Sequence, residues 1–235
     1  MKRSDVPMLK AILFDLDNTL LDFMKFKKES ARAAAKAIIH SGLRESESVL
    51  YSKIFAIYDS KGIEYQRTFH DLLSEYSLSP HQLEHMKQAA IIAYTKKKYS
   101  LLRPQPKVVR TLSSLKSSYK LGIVTDAPRD KAWQRLVLSG LDLFFYPVVT
   151  FNDTHEEKPS VNPFKRALSL LKVRPDEALF VGDNTRKDII GAKKVGIMTC
   201  LAKYGCLNYV PEEDVADYKI ERFEELKRVV KDVEE

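Results

Sequence analysis

Leu9 to Phe14 is, but for Lys10, an apolar run rich in strand formers, and it stops abruptly at Asp15-Leu16-Asp17-Asn18-Thr19. An apolar run of this kind ending in acids fits a strand buried in a parallel sheet, whose carboxyl end opens on a crevice. From Asp22 to Leu102 the pattern turns helical: Glu29 to His40, Ser46 to Asp59, Phe69 to Tyr76 and Pro80 to Tyr99, broken at Gly42, Gly62 and Ser79-Pro80. Strand alternation is scarce there, which predicts a compact helical insert. Arg103-Pro104-Gln105-Pro106 reads as its exit, because paired prolines stop a helix and stiffen a linker.

Beyond Pro106 helix and strand alternate. Helices are predicted over Lys107–Ser117, Arg129–Leu138, Val161–Leu171, Arg186–Val195 and Phe223–Lys231. Strands are predicted over Leu121–Thr125, Val148–Thr150, Ala178–Val181, Ile197–Leu201 and Tyr218–Ile220, the last at an edge. This alternation predicts an α/β fold, a doubly wound parallel sheet with right-handed crossovers. Residues 1–21 and 103–235 would form that core and residues 22–102 an inserted all-helical domain.

Composition narrows the class. The 235 residues, 44% hydrophobic and 30% charged, suit one large domain or a core with one insert. No apolar run approaches the ~20 residues that cross a bilayer. The basic start Met1–Lys10 is followed by an apolar stretch too short for a signal peptide, cut off at Asp15 and Asp17, so a cytoplasmic protein with no membrane partner is expected. Cys200 and Cys206 are read as packing residues. The net charge of +7 lies in short clusters such as Lys96-Lys97-Lys98, with no nucleic-acid motif. No nucleic-acid partner is therefore expected, and such a surface suits the steering of small anions.

Four positions fall at predicted strand ends or at the start of the next helix: Asp15 with Asp17, Thr125, Lys158, and Gly182-Asp183. In an open parallel sheet these converge. Acids from two strands, a hydroxyl and a lysine suit a metal and a phosphate. A carboxylate attacking a phosphomonoester meets a like charge, about 4 kcal/mol for two unit charges 4 Å apart at an effective dielectric near 20. Magnesium, which prefers oxygen ligands, and Lys158 would offset that repulsion, while the Thr125 hydroxyl positions the phosphoryl oxygens. Aspartate is a known nucleophile in phosphoryl transfer, and Asp17 can serve as acid and then base.

These residues resemble the four motifs of the haloacid dehalogenase-like superfamily. Phe14-Asp15-Leu16-Asp17-Asn18-Thr19-Leu20 is similar to the first, Val124-Thr125 to the second, Lys158-Pro159 to the third, and Gly182-Asp183-Asn184 through Asp188 to the fourth. The order is right across the whole chain. The helical insert between motifs one and two resembles the cap of the phosphoglycolate phosphatase and β-phosphoglucomutase branch. The resemblance implies a Rossmann-like core, a magnesium cofactor and an aspartyl-phosphate mechanism. Asp15 would be nucleophile and metal ligand, Asp17 general acid/base with its backbone carbonyl on the metal, and Asp183 a further ligand. Thr125, Asp126 and Lys158 would face the phosphate, supported by Asp188 and Asn184. Asn18 stands where many members have glycine, and asparagine tolerates a positive φ. Asp126 stands where asparagine is common and adds negative charge.

The expected substrate is a small phosphorylated metabolite: a sugar phosphate, glyceraldehyde 3-phosphate, phosphoglycolate or phosphoserine. A phosphomutase shares the chemistry, with a second hydroxyl replacing water, and a non-catalytic phosphometabolite-binding protein is a third class that the intact acid set disfavours. A dehalogenase is disfavoured because that branch lacks an acid at the position of Asp17. Lys27 and Arg67 in the insert are read as solvated, Phe23 and Tyr65 as core, and Trp133 carries no role. Monomer and homodimer are both compatible with the sequence.

Overall fold

The computed structural model describes residues 8–207 and 209–235, so the basic start at residues 1–7 lies outside the described residues. Among the described residues the chain divides into two compact units, one made of the part up to Asp22 with Arg103–Glu235 and the other of Phe23–Leu102. In chain order the elements are β1 (Ala11–Phe14), then α1 (Phe23–His40), α2 (Glu47–Lys61), α3 (Thr68–Leu73) and α4 (Pro80–Leu101). There follow α5 (Val108–Leu115), β2 (Lys120–Val124), α6 (Arg129–Ser139), β3 (Val148–Val149), α7 (Phe151–Thr154), α8 (Val161–Leu171), β4 (Ala178–Gly182), α9 (Ile190–Val195), β5 (Met198–Ala202), β6 (Tyr218–Ile220) and α10 (Leu226–Glu234). Among the described residues no helix is long and apolar enough to cross a membrane.

The six strands pair in the order β3-β2-β1-β4-β5-β6, all parallel. Every residue of β1 and β4 is buried, as helices on both faces require. Ala11 and Leu13 point to the face carrying Phe180, Phe164, Ala167 and Ala192. Phe14 instead meets the rings of Phe145 and Phe223 at 5.8 and 6.0 Å. The covering helices bury stripes at i, i+3, i+4 and i+7: Phe164, Ala167, Leu168 and Leu171 on α8, and Leu226, Val229, Val230 and Val233 on α10.

In the helical unit α1 runs against α4, where Ala31, Ala34, Ala35 and Ala90 present little side chain and allow close approach. Ser79 caps α4 with Gln82 in a reciprocal capping box and Pro80 in its first turn. Two expectations change here. Helix α1 begins at Phe23, six residues before the predicted start at Glu29, because Phe23, Phe26, Lys27 and Ser30 continue its buried stripe. Lys27 is also not solvated. Only 5% exposed, it donates to the Ile63 carbonyl at 2.5 Å, and its ammonium lies 4.7 to 5.7 Å from the rings of Tyr58, Phe23 and Tyr94. A carbonyl and three ring faces compensate the buried charge. Arg67 is exposed as expected.

The predicted helix Arg186–Val195 is also divided. Thr185–Ile189 forms one π turn, and the α-helical part starts at Ile190. Such wide turns are frequent at functional sites.

Phe164 is fully buried and meets Phe180 edge-on at 5.0 Å. Truncating Phe164→Ala is expected to cost about 3–5 kcal/mol, read by chemical denaturation. Leu143→Ala, at a side chain 80% exposed, should stay within about 0.5 kcal/mol. Equal costs at the two positions would contradict the assigned core.

Candidate active site

Winding reverses between β1 and β4, since β2 and β3 lie to one side of β1 and β4 to β6 to the other. A parallel sheet opens a crevice beyond the carboxyl ends of its strands at such a reversal. Asp15 is the residue directly after β1, and its N–H donates to the Val181 carbonyl at 2.9 Å. Asp183 follows β4. Thr125 follows β2, with its N–H on the Val149 carbonyl at 2.9 Å and its Oγ1 accepting from Ala127 N at 3.2 Å.

Lys158 arrives from the segment between α7 and α8. Its ammonium lies 2.5 Å from Asp15 Oδ1, 2.7 Å from Asp188 Oδ1 and 3.1 Å from the Val124 carbonyl, so it ties together β1, β2 and the π turn. Asp188 is turned back under β4, where its Oδ2 accepts from Asn184 N at 3.0 Å. Asn184 Oδ1 in turn accepts from Lys187 N at 3.0 Å. Only glycine fits at position 182, because a Cβ there would lie 2.5 Å from Asp188 Oδ2. Thr19 Oγ1 donates to Asp183 Oδ1 at 3.1 Å, and Tyr204 holds the Thr19 carbonyl at 2.8 Å.

The electrostatics follow from burial. Burial pushes the Asp15 carboxyl up to about 7 against the pull of Lys158, with Asp188 and Asp17 adding to the rise. Burial likewise raises Asp183 well above the ordinary carboxylate range, with Asp15 and Asp188 pushing the same way. Burial acts to lower the Lys158 ammonium, but Asp15, Asp188 and Asp126 overcome it and hold Lys158 well above its ordinary value. Acids outnumber bases here, and a cation would relieve the excess. Asp15, Asp183 and Asp188 each place a ligand atom so that all three lie within 4.8 Å of one another. An all-oxygen donor set of this charge fits magnesium.

Asp15, Lys158, Asp183 and Asp188 are thus in one cluster, with Thr125 at the adjacent strand end. Asp17 is half-buried, and its Oδ2 accepts from Arg135 Nη1 at 2.6 Å. The Asp126 carboxylate serves the lysine loop: Oδ1 accepts from Lys158 N and Oδ2 from Lys187 Nζ, each at 2.9 Å. Its charge is met by Lys187. Asn18 takes a φ of +63° in the turn, as asparagine there allows.

Of the contributors that sequence reasoning missed, three stand directly against the acids or their turn. Arg135 shares the buried stripe of α6 with Ala132 and Leu136, so a charge at an apolar helical position was its signal. Cys206 does more than pack, since its thiol donates to the Asp183 carbonyl at 2.9 Å. Gly205 passes so close to the first turn that a Cβ would lie 2.2 Å from the Asn18 carbonyl and 2.8 Å from Asp183 Cβ. Nothing in the local sequence around Gly205 announces that approach.

A family model described as haloacid dehalogenase-like hydrolase matches residues 12–202. A glyceraldehyde 3-phosphate phosphatase of Methanopyrus kandleri is 36% identical over 232 residues, covering 96% of this chain and 99% of that protein. The enzyme of the same name from Methanocaldococcus jannaschii is 33% identical over 229 residues, with the same coverage of 96% and 99%. Among solved structures, an HAD phosphatase from Thermococcus onnurineus matches with a TM-score of 0.63 at 26% identity, covering 94% of this chain and 98% of that one.

An added methyl at Gly205 can be accommodated only by moving the backbone of Asn18 or Asp183. Gly205→Ala is expected to keep its circular dichroism spectrum and to lose roughly tenfold or more in Mg²⁺ affinity by titration calorimetry, the usual scale for groups that orient ligands. Unchanged affinity would show that this contact does not set the Asp183 position.

Proposed function

This chain belongs to the haloacid dehalogenase-like hydrolase family, and we propose that it is a magnesium-dependent phosphatase of small phosphomonoesters, acting through Asp15. The observation that carries this reading is the buried Lys158 ammonium bridging Asp15 and Asp188 beside Asp183 at the reversal of the sheet. The relatives named for glyceraldehyde 3-phosphate support that compound as the substrate to test first.

Asp15 and Asp183, with the main-chain carbonyl of Asp17, would hold the metal, and Asp188 completes the acid set through Lys158. Magnesium bound there supplies positive charge between the entering phosphate and the carboxylates. The Asp15 carboxylate attacks phosphorus, so an Asp15 O–P bond forms as the P–O bond to the alcohol breaks. The departing alkoxide keeps the electron pair and takes a proton from Asp17. Water then gives a proton to Asp17 and its oxygen attacks phosphorus, which breaks the Asp15 O–P bond and releases inorganic phosphate. Throughout, Lys158 and the Thr125 hydroxyl hold the phosphoryl oxygens, and Lys158 keeps its proton because three carboxylates hold it there. Choice among phosphomonoesters is assigned to the helical unit Phe23–Leu102, the segment that corresponds to the cap implied by the family resemblance.

Asp15→Asn should lower turnover of p-nitrophenyl phosphate by more than about a thousandfold while the protein still folds, as loss of a nucleophile does elsewhere. Near wild-type turnover would end the mechanism. Exhaustive chelation should abolish phosphate release and added Mg²⁺ restore it; full activity after chelation would contradict the metal assignment. In a panel of phosphorylated metabolites, glyceraldehyde 3-phosphate should show the highest kcat/KM for phosphate release. Isomerisation of a sugar phosphate without release would point to a mutase instead.

A further inference from the structure

We infer that Arg135 is a positioning residue for proton transfer, fixing the carboxylate of Asp17 through a buried ion pair. The inference rests on the reading of Asp17 as the general acid and base. Asp17 lies past the end of β1 in a turn where Asn18 takes a φ of +63°. A short side chain on such a turn has several rotamers open to it. Arg135 comes from α6, 118 residues along the chain, and puts Nη1 2.6 Å from Asp17 Oδ2.

The guanidinium is 1% exposed, and Ala132 and Leu136 flank it on the buried stripe of α6. Its place in the helix is fixed by packing, so the oxygen it grips is fixed too. Burying an arginine with its partner gains little stability over an apolar replacement. What the pair does provide is one carboxylate orientation. That matters for a group that must give a proton to an oxygen leaving phosphorus and then take one from water, where an ångström of misplacement can cost about a hundredfold.

Loss of positioning has a signature that loss of fold lacks. The parameter kcat/KM reports the steps up to departure of the alcohol. An alkyl phosphate needs a proton at that step, whereas p-nitrophenyl phosphate releases a stable anion and needs it far less. The quantity to measure is therefore the ratio of kcat/KM for p-nitrophenyl phosphate to kcat/KM for an alkyl phosphate such as glyceraldehyde 3-phosphate.

Asp17→Asn should widen this ratio by roughly a hundredfold, the scale of general acid catalysis. Arg135→Gln should widen it by about tenfold or more, and Arg135→Lys, which keeps charge but lacks the planar fork, by a smaller factor. In the Asp17→Asn background, Arg135→Gln should widen it no further. A folded Arg135→Gln enzyme that loses both substrates equally, or neither, overturns the inference, and so does further widening in the double variant. If Arg135→Gln does not fold by circular dichroism, Arg135→Lys decides: a widened ratio supports the inference and a wild-type ratio overturns it. If Asp17→Asn itself leaves the ratio unchanged, the general-acid reading fails first. If Asp17→Asn widens it and the arginine variants do not, the inference alone fails.

Discussion

Lys158, with 3% of its side chain exposed, stands 2.5 Å from Asp15 and 2.7 Å from Asp188. Three charges out of water would be ruinous singly, and removing one partner of such a group typically costs about 3–5 kcal/mol. The surrounding structure is arranged so that none of the three is alone. Asp188 reaches the lysine because the chain winds one wide turn after β4, and glycine at 182 leaves room beneath it. The lysine is held from behind by the Val124 carbonyl and by Asp126 on its own backbone N–H. A buried cation is thereby presented at the tip of β1, the charge that the proposed attack of Asp15 on a phosphate needs.

Topology makes that cluster possible at little conformational cost. Asp15, Thr125 and Asp183 are each the first residue after a strand, so their backbones are anchored in the sheet, while Lys158 comes from the segment before α8 and Asp188 from the π turn after β4. The loops need only be short. Around the cluster a further set of contacts keeps the acids apart and aimed: Thr19 and Cys206 on Asp183, Tyr204 on Thr19, Arg135 on Asp17. These hydrogen-bonding side chains come from the turn after β1, from the segment after β5 and from α6. They explain why acids that would crowd one another in water keep distinct places here.

Much of this could be read from the residues before any coordinates. Apolar runs ending in Asp15, Val124-Thr125 and Gly182-Asp183 mark strands that end at the chemistry, because a doubly covered sheet leaves only its strand ends polar. The parallel six-stranded sheet agrees with that pattern. Other features escaped, each for a physical reason. The interruption of the Arg186–Val195 helix depends on Asp188 turning back to Asn184 N, a contact that periodicity does not encode. Lys27 was expected in solvent, since a lysine in a helix usually is, yet three aromatic rings and the Ile63 carbonyl make a place for it inside. The place of Arg135 among apolar positions of α6 signals burial, but it does not name a partner 118 residues away.

The central claim is that Asp15 itself carries the phosphoryl group for part of each turnover, with Lys158 holding the charge. Rapid acid quench during turnover of glyceraldehyde 3-phosphate or p-nitrophenyl phosphate, followed by peptide mass mapping, tests it most directly. One phosphoryl group is expected on the peptide containing Asp15, absent before substrate is added and lost as substrate runs out. Steady phosphate release with Asp15 unmodified at every quench time would contradict it.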